Sequence, residues 1–256
     1  MCLIVLGIKS HPVYKLVFAA NRDEYYDRPS APVCFWKEAP DLLAGKDLRA
    51  GGTWFGITKG GRIAAITNYR DPASHNSEAP SRGELVSGFL LGHEEPIDYL
   101  EALRAEADKY NGYNLIIGSR DNLYWYSNRG DRVNRVPPGV HGLSNHLLNT
   151  PWPKVVRTKE AMGQLLTRAD KPEPEEIFHL LSDRHRADEK SLPHTGVGLE
   201  LEQKLSSVFI SIPDYGTRSS TILLIDQNDQ VTCLERTFDP DPDTAKTVKY
   251  CFAIES

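Results

Sequence analysis

The chain has 256 residues, of which 40% are hydrophobic and 25% are charged, and its formal net charge at pH 7 is −5. This composition is typical of a soluble globular protein with a large core, and we expect one domain over residues 1–256. The acidic balance gives no electrostatic basis for binding nucleic acid. The apolar opening is interrupted at Lys9 and has no basic leader, so we expect neither a signal peptide nor stable membrane insertion. Four cysteines without a Cys-x-x-Cys pair favour a reducing, cytoplasmic location and argue against a zinc site.

In the first half of the chain, apolar runs separated by turns predict two β-hairpins, and two helices follow them. The predicted elements are strands 2–8 and 14–20, a polar, turn-rich stretch 21–52, strands 53–58 and 62–67, and helices 81–91 and 96–110. The second hairpin turns at Lys59-Gly60-Gly61, and glycine is favoured in tight hairpin turns. Ser81 followed three residues later by Glu84 forms a capping-box pattern, which indicates the start of a helix.

The second half of the chain repeats this alternation of strands and helices. The predicted elements are strands 113–118, 123–127 and 132–136, helices 154–168 and 174–181, a polar loop 184–198, and strands 205–211, 217–225, 231–236 and 249–254. Segregated blocks of strands and helices favour an α+β fold, in which stacked, mainly antiparallel sheets are covered by helices.

The chain begins Met1-Cys2, which places a thiol directly behind the initiator methionine. Removal of Met1 would leave Cys2 with both a thiol and a free α-amine. An α-amine titrates at a pKa of about 7.7–8.0 and a free thiol at about 8.5, so a nucleophile would stand beside its own base. The alternative is a small buried hydrophobic residue without a chemical role.

A second chemical signal is the run Asn21-Arg22-Asp23-Glu24, which we expect in the loop that follows the second strand. In that position Arg22 would stabilise the Cys2 thiolate, and Asp23 or Glu24 would hold the α-amine by a charge-assisted hydrogen bond. The sequence leaves open which carboxylate does so. The alternative is a solvated turn with an internal ion pair between Arg22 and Asp23.

The other polar residues give weaker signals. The eight histidines show no His-Glu-x-x-His spacing, so no metal site is predicted. Arg82 and Glu84 stand at the start of a predicted helix, where we expect them to form an ion pair.

Six short motifs follow one another along the chain. They are Met1-Cys2, Asn21-Arg22-Asp23-Glu24, Gly51-Gly52-Thr53-Trp54, Thr67-Asn68-Tyr69-Arg70, Ser81-Arg82-Gly83-Glu84-Leu85-Val86 and Tyr215-Gly216-Thr217-Arg218-Ser219-Ser220-Thr221. In this order they resemble the NRDE-motif family, also called the transport and Golgi organisation protein 2 family. The resemblance covers nearly the whole chain, and it implies a role in haem trafficking or in lipid and acyl-CoA homeostasis.

A more distant similarity concerns mechanism. Cys2, Arg22, Asn68 and Asn145 resemble, in order, functional residues of the cysteine amidohydrolases of the N-terminal nucleophile class, such as choloylglycine hydrolases and penicillin V acylases. Arg218 is the candidate for a later arginine of that class. The similarity implies an αββα sandwich of two stacked sheets flanked by helices. It also implies that Cys2 is the nucleophile and that Asn68 and Asn145 donate hydrogen bonds to the oxyanion.

Two functions follow from these resemblances. In the first, Cys2 cleaves or transfers an amide or thioester acyl group of a small hydrophobic metabolite, and no cofactor is required. In the second, the protein is a non-enzymatic carrier of haem, acyl-CoA or another lipid. The candidate catalytic residues are Cys2, Arg22, Asp23, Asn68 and Asn145, and the candidate binding residues are Asn21, Glu24, Trp54, Tyr69, Arg82 and Arg218.

Overall fold

The computed structural model describes residues 3–130, 132–238 and 245–255. In this part of the chain the strands are β1 (Leu3–Ile8), β2 (Tyr14–Tyr25), β3 (Ser30–Phe35), β4 (Leu42–Asp47), β5 (Phe55–Thr58), β6 (Arg62–Asn68), β7 (Tyr113–Ser119), β8 (Leu123–Ser127), β9 (Asn134–Arg135), β10 (Gly139–Leu143), β11 (Ser211–Ile212), β12 (Tyr215–Asp226), β13 (Gln230–Thr237) and β14 (Lys246–Ala253). The α-helices are α1 (Gly83–Leu91), α2 (Pro96–Arg104), α3 (Pro153–Leu166), α4 (Pro174–Leu181) and α5 (Leu199–Lys204).

The described strands form two seven-stranded sheets. The first sheet has the order β10-β1-β2-β12-β13-β14, with β11 beside β12, and the second runs β3-β4-β5-β6-β7-β8-β9. The paired strands in both sheets are antiparallel. This arrangement confirms the predicted pair of antiparallel sheets.

Side-chain alternation along the strands produces four layers. In β1, Ile4 and Leu6 belong to the core between the sheets, whereas Val5 belongs to the core beneath α3 and α4. Phe18 of the first sheet stacks on Phe55 of the second, with ring centroids 4.7 Å apart. The helices α1 and α2 cover the outer face of the second sheet. The fold is therefore the expected αββα sandwich.

The start of β1 is placed by its two neighbours. Leu3 lies opposite Asn21 of β2, and Ile4 lies opposite Leu143 of β10. The chain thus enters the first sheet between the polar end of β2 and the segment that follows β10. The sequence analysis did not predict β10, although this strand carries Ser144 and Asn145 to the same edge of the sheet.

The run Asn21-Arg22-Asp23-Glu24 lies inside β2 and not in a loop, so this prediction was wrong. The reason is the length of β12, which pairs with β2 as far as Tyr215 opposite Tyr25. Polar residues at this end therefore have backbone partners in the ladder. The stretch 21–52 likewise contains β3 and β4, which pair with each other and extend the second sheet beyond β5.

Three further predictions are corrected by tertiary contacts. Of the predicted strand 205–211, only Ser211 lies in a strand, β11. Residues 205–210 form none, and Val208 packs against Leu3 and against Trp152 and Val155 at the start of α3. The helix that begins at Pro96 ends at Arg104 and not at residue 110. The capping box of Ser81 and Glu84 does not form, and α1 begins at Gly83 without a side-chain cap.

The longest α-helix in the described ranges, α3, has 14 residues. None of the described helices has the length and apolar character needed to cross a membrane.

Candidate functional site

A cleft opens where the polar end of β2 meets the end of β6. It consists of two adjoining cavities, an inner cleft of about 300 Å³ and an outer cleft of about 670 Å³. The inner cleft is bounded by Arg22, Trp54 and the start of α1, and the outer cleft by Tyr69 and Asn145. Residues that border both cavities are Asp23, Glu24, Arg28, Asn68, His75 and Arg82.

Asn21 is fully buried and fixes the polar end of β2 to the rest of the protein. Its Nδ2 donates to the backbone oxygens of Leu181 and Val208, both at 2.9 Å. Its Oδ1 accepts a hydrogen bond of 2.6 Å from Ser220 Oγ. Its amide hydrogens and oxygen are therefore engaged within the protein, and Asn21, predicted as a binding residue, stabilises the fold in this structure.

Arg22 lies in the wall of the inner cleft with 4% of its surface exposed. Its guanidinium carbon is 4.2 Å from the centre of the Trp54 ring, and its Nη2 is 3.8 Å from Glu24 Oε2. Among the described residues, Nη1 has no hydrogen-bond acceptor. Burial lowers the pKa of Arg22, and the neighbouring Glu24 carboxylate opposes this effect. A buried cation with an unsatisfied N–H group is poised to bind an incoming acceptor.

The two carboxylates of the motif have different partners. Asp23 Oδ1 accepts a hydrogen bond of 2.7 Å from Thr217 Oγ1. Glu24 Oε2 stands between Arg22 and Arg28, at 3.8 Å and 3.7 Å from their nitrogens. The ion pair within the motif therefore joins Arg22 to Glu24, whereas the sequence suggested Asp23.

Asn68 and Asn145, although 77 positions apart in the sequence, meet at the cleft. Asn145 Nδ2 donates to the backbone oxygen of Asn68 at 3.1 Å. Its Oδ1 accepts from Arg70 Nη2 at 3.4 Å and from Ser144 Oγ at 3.3 Å. These acceptor contacts orient the Asn145 amide with its NH₂ group toward Asn68. The second N–H of that group and the Asn68 side chain are the two donors that this pair of asparagines offers to a ligand.

A buried ion pair holds Arg70 in place behind Asn145. Arg70 Nη1 is 2.7 Å from Glu202 Oε2, and Glu202 is 3% exposed. The other Glu202 oxygen accepts hydrogen bonds from the backbone N–H and hydroxyl of Thr195. The Arg70 guanidinium also lies 5.0 Å from the centre of the Trp152 ring. Sequence analysis missed Glu202, and the only signal for it was the charge of Arg70, which requires a partner once buried.

Tyr69 and Arg82 border the cleft, as expected of binding residues. The Tyr69 ring is 4.9 Å from the His146 ring, and burial raises the pKa of Tyr69. Arg82 Nη1 donates to the Gly112 oxygen at 2.8 Å. Glu84 accepts a hydrogen bond of 2.6 Å from the Tyr110 hydroxyl, so the predicted ion pair of Arg82 with Glu84 is replaced by these contacts.

Arg218, predicted as a binding residue, lies outside the walls of both clefts. It is the bulged residue of β12, because Thr217 pairs with Asp23 and Ser219 with Arg22. Its Nη1 donates to the backbone oxygens of three residues in the turn after β2, namely Tyr25, Tyr26 and Arg28, at 2.9, 3.0 and 3.3 Å. Arg218 positions this turn.

Met1 and Cys2 lie outside the described residues. The described cysteines, Cys34, Cys233 and Cys251, form no disulfide and border neither cleft. Cys233 is completely buried, which raises the pKa of its thiol and suppresses the reactive thiolate. No group of three or more metal-binding side chains occurs within the described ranges.

Relatives by sequence share the whole length of the chain. The profile of the family described as Transport and Golgi organisation 2 matches residues 1–240. A Transport and Golgi organization protein 2 homolog from Bos taurus is 37% identical over 278 residues, and the human homolog is 36% identical over 277 residues. Both alignments cover 100% of each chain. A Drosophila melanogaster relative is 27% identical over 96% of each chain.

Solved structures with this fold are hydrolases of much lower sequence identity. A mutant conjugated bile acid hydrolase from Clostridium perfringens has a TM-score of 0.52 and 9% identity, over 100% of this chain and 97% of that chain. A Caenorhabditis elegans ortholog of N-acylethanolamine-hydrolyzing acid amidase has a TM-score of 0.51 and 8% identity, over 87% of this chain and 92% of that chain. These likenesses show the fold alone, which is that of the N-terminal nucleophile hydrolases. From its full-length relatives and the family profile, the chain belongs to the Transport and Golgi organisation 2 family.

Proposed function

We propose that Cys2, after removal of Met1, cleaves or transfers an amide or thioester acyl group of a small metabolite bound in the cleft. The observation that carries this proposal is the entry of the chain into the first sheet. Leu3, to which Cys2 is bonded, lies opposite Asn21, and Ile4 lies opposite Leu143. Arg22, which follows Asn21, and Asn145, which lies two residues after Leu143, border the cleft.

The reaction proceeds in two balanced steps. The Cys2 thiol gives its proton to its own α-amine, and the sulfur forms a C–S bond to the substrate carbonyl. Collapse of the tetrahedral intermediate breaks the bond to the leaving amine or thiol, which receives that proton. Water or another acceptor then attacks the acyl-enzyme, so that the acyl group is released and the Cys2 thiol is restored.

Each neighbouring residue has a role in this scheme. The Asn68 side chain and the remaining Asn145 N–H donate to the oxyanion, and loss of one such donor typically costs about 2.7–4 kcal/mol of barrier. Arg22 favours the Cys2 thiolate by its charge. Glu24 already faces Arg22 and Arg28, so we assign the α-amine to Asp23.

Two proteins with the same fold are named for the hydrolysis of acyl compounds, which supports the proposed acyl chemistry. One is a conjugated bile acid hydrolase, and another is an N-acylethanolamine-hydrolyzing acid amidase. Haem fits the cleft less well, because a porphyrin face needs an apolar slot. The cleft walls carry charged side chains from Arg22, Asp23, Glu24, Arg28, Asp47, Arg49, Arg70, Asp71 and Arg82. The acyl-transfer function is therefore preferred over a haem carrier.

The proposal is tested with an acyl thiophenyl ester, whose hydrolysis releases thiophenol. We expect Cys2→Ala to abolish enzymatic release and Asn68→Ala to slow it by about 10²–10³-fold. Cys251→Ala changes an exposed thiol of β14 and serves as the control with an unchanged rate. Unchanged turnover in Cys2→Ala would overturn the proposal, and stoichiometric haem binding without turnover of any acyl probe would favour the carrier.

A further inference from the structure

The N-terminal end of α1 forms one wall of the inner cleft. Ser81, Arg82 and Gly83 border the cavity, and α1 has nine residues. The backbone of Gly52 approaches this end so closely that a Cβ at Gly52 would lie 2.5 Å from the carbonyl carbon of Gly83. The N-terminus of a helix is the positive end of its dipole and attracts anions. The cleft is therefore bounded by a partial positive charge.

The first turn of α1 does not neutralise this charge at the cleft. Its acidic residue, Glu84, directs a carboxylate oxygen to the Tyr110 hydroxyl. The first backbone N–H groups already have acceptors within the protein: that of Gly83 donates to Ser81 Oγ at 3.3 Å, and those of Glu84 and Leu85 donate to the backbone oxygens of Ser81 and Arg82, both at 3.2 Å. The helix therefore acts on an anion through the positive end of its dipole.

A second, independent feature of the inner cleft also favours a bound anion. The Arg22 guanidinium is 96% buried and stacked on Trp54, and both side chains border the inner cleft. Arg22 Nη1 and Trp54 Nε1 are buried donors without an acceptor among the described residues. Leaving such groups unsatisfied costs free energy that a bound acceptor recovers.

The carboxylates in the inner cleft are already engaged. Asp47 is 2.7 Å from Arg28 Nη2 and also accepts hydrogen bonds from the backbone N–H groups of Arg49 and Ala50. Although burial opposes its charged form, these contacts hold the pKa of Asp47 below its usual range. Glu24 is shared by Arg22 and Arg28. Arg22 therefore retains donor capacity that the nearby carboxylates do not use.

We propose that the inner cleft is an anion-binding subsite, which takes a carboxylate or phosphate group of the substrate. Arg22 and the Trp54 indole N–H are its donors, and the N-terminal end of α1 adds the positive end of its dipole. This inference rests on the proposed function, because it assigns the substrate class as an acyl compound that carries an anionic group. The inner cleft, with about 300 Å³, has room for such a group, and the outer cleft, which Asn145 borders, takes the acyl portion.

The Trp54 indole N–H provides a direct readout that needs no turnover. The protein has four tryptophans, so ¹⁵N-tryptophan labelling gives four indole signals, and loss of one signal in Trp54→Phe assigns Trp54. Trp36 Nε1 donates to the Ala44 oxygen and Trp125 Nε1 to Asn114 Oδ1, so these two signals are internal controls. Inorganic phosphate and succinate are added separately at constant ionic strength.

We expect a saturable shift of the Trp54 signal with at least one probe, while the Trp36 and Trp125 signals stay in place. The probe that binds more tightly identifies phosphate or carboxylate as the preferred group. Arg22→Met should weaken this binding by about tenfold or more, which corresponds to about 1.4 kcal/mol. Arg104→Met, in an exposed ion pair on α2, is the matched control with unchanged affinity. Arg22→Lys, which keeps the charge, should bind with intermediate affinity.

A Trp54 signal that moves with neither probe would overturn the subsite, as would unchanged affinity in Arg22→Met. Unaltered Trp36 and Trp125 signals show that a variant is folded, and Arg22→Lys decides the outcome if Arg22→Met does not fold. A second arm compares a neutral acyl thioester with a succinyl thioester. Trp54→Phe should raise KM for the succinyl compound by a larger factor than KM for the neutral compound. If both esters acylate Cys2 with equal KM in wild type and Trp54→Phe, the subsite fails and the proposed function stands.

Discussion

The apolar and the polar part of β2 both pair with β12, yet the first buries hydrophobic side chains and the second buries polar and charged ones. Residues 16–20 are apolar and pack into the two cores of the sandwich. The four residues that follow are polar, and three of them, Asn21, Arg22 and Asp23, are buried as well. The Asn21 amide is saturated by hydrogen bonds within the protein, whereas Arg22 Nη1 has no acceptor in the described part of the chain. Residues 16–20 and Asn21 therefore stabilise the fold, whereas Arg22 keeps a hydrogen-bond donor available for a ligand.

The largest loss of stability should come from the apolar part of β2. Phe18→Ala removes a buried ring that stacks on Phe55 between the sheets. We expect a loss of about 3–5 kcal/mol in the free energy of unfolding, measured by urea denaturation. Leu91→Ala, at an exposed position, should change it by less than about 0.5 kcal/mol. Equal effects of the two substitutions would contradict the packing of the core.

Asn21→Ala should be the next most destabilising change. It leaves the oxygens of Leu181 and Val208 and the Ser220 hydroxyl without their buried partner. Because each unsatisfied group costs about 1–3 kcal/mol, we expect a loss of roughly 3 kcal/mol in the same denaturation experiment. Asn228→Ala in the exposed turn after β12 is the matched control. A loss below about 1 kcal/mol in Asn21→Ala would argue that Asn21 serves a ligand instead.

Glu202→Gln tests the support behind Asn145. The substitution removes the charge that holds Arg70, and hydrogen bonds to charged groups contribute about 1.5–3 kcal/mol. We expect a loss of about 1.5 kcal/mol in unfolding free energy and a lower kcat on the thiophenyl ester, because Asn145 loses its fixed orientation. Glu200→Gln, on the same helix in an exposed pair with Lys204, should alter neither quantity. An unchanged kcat in Glu202→Gln would contradict the role of Arg70 in orienting Asn145.

Arg22→Met should have a small effect on stability and a large one on acylation. A buried cation without full hydrogen bonding contributes little to folding, and methionine fills a similar apolar volume against Trp54. We expect the free energy of unfolding to stay within about 1 kcal/mol of wild type, while acylation of Cys2 slows severalfold or more. Destabilisation as large as that of Asn21→Ala would place Arg22 among the structural residues.

The smallest effect concerns pH. Burial lowers the pKa of His146 below its ordinary value of about 6.5, so the folded protein favours the neutral ring. Stability from this group is complete above pH ~6.5 and is lost as the pH falls through the lower, folded-state pKa. We expect urea denaturation to show lower stability at pH 5 than at pH 7, with a weaker decline in His146→Gln. His141, whose pKa burial also lowers, contributes in the same direction.

Local sequence patterns predicted much of the sandwich but not its long-range pairing. The hairpin of β1 and β2 follows from two apolar runs, and the glycine turn at Gly61, with φ of +81°, follows from its residue type. The polar end of β2 was expected in a loop because nothing nearby in the sequence reveals β12 as its partner. Pairing across about 190 residues is decided by tertiary structure, which overrides local propensity.

The candidate site shows the same division. The motifs pointed to Arg22 and Asn68, and the similarity to cysteine amidohydrolases pointed to Asn145. All three residues border the cleft formed by the two adjoining cavities. The sequence could not distinguish Asn21, which is saturated, from Arg22, because the difference lies in partners from β12, α4 and the segment that follows α5. The role of Glu202 could not be predicted for a similar reason, since 132 positions separate it from its partner Arg70.

The central claim is that a free N-terminal Cys2 accepts the acyl group. Mass spectrometry of the intact protein, followed by peptide mapping after brief reaction with the acyl thiophenyl ester, tests it most directly. The account predicts that Met1 is absent and that one acyl group lies on Cys2, with Cys34 and Cys251 unmodified. A retained Met1, or acylation confined to Cys34 or Cys251, would contradict it.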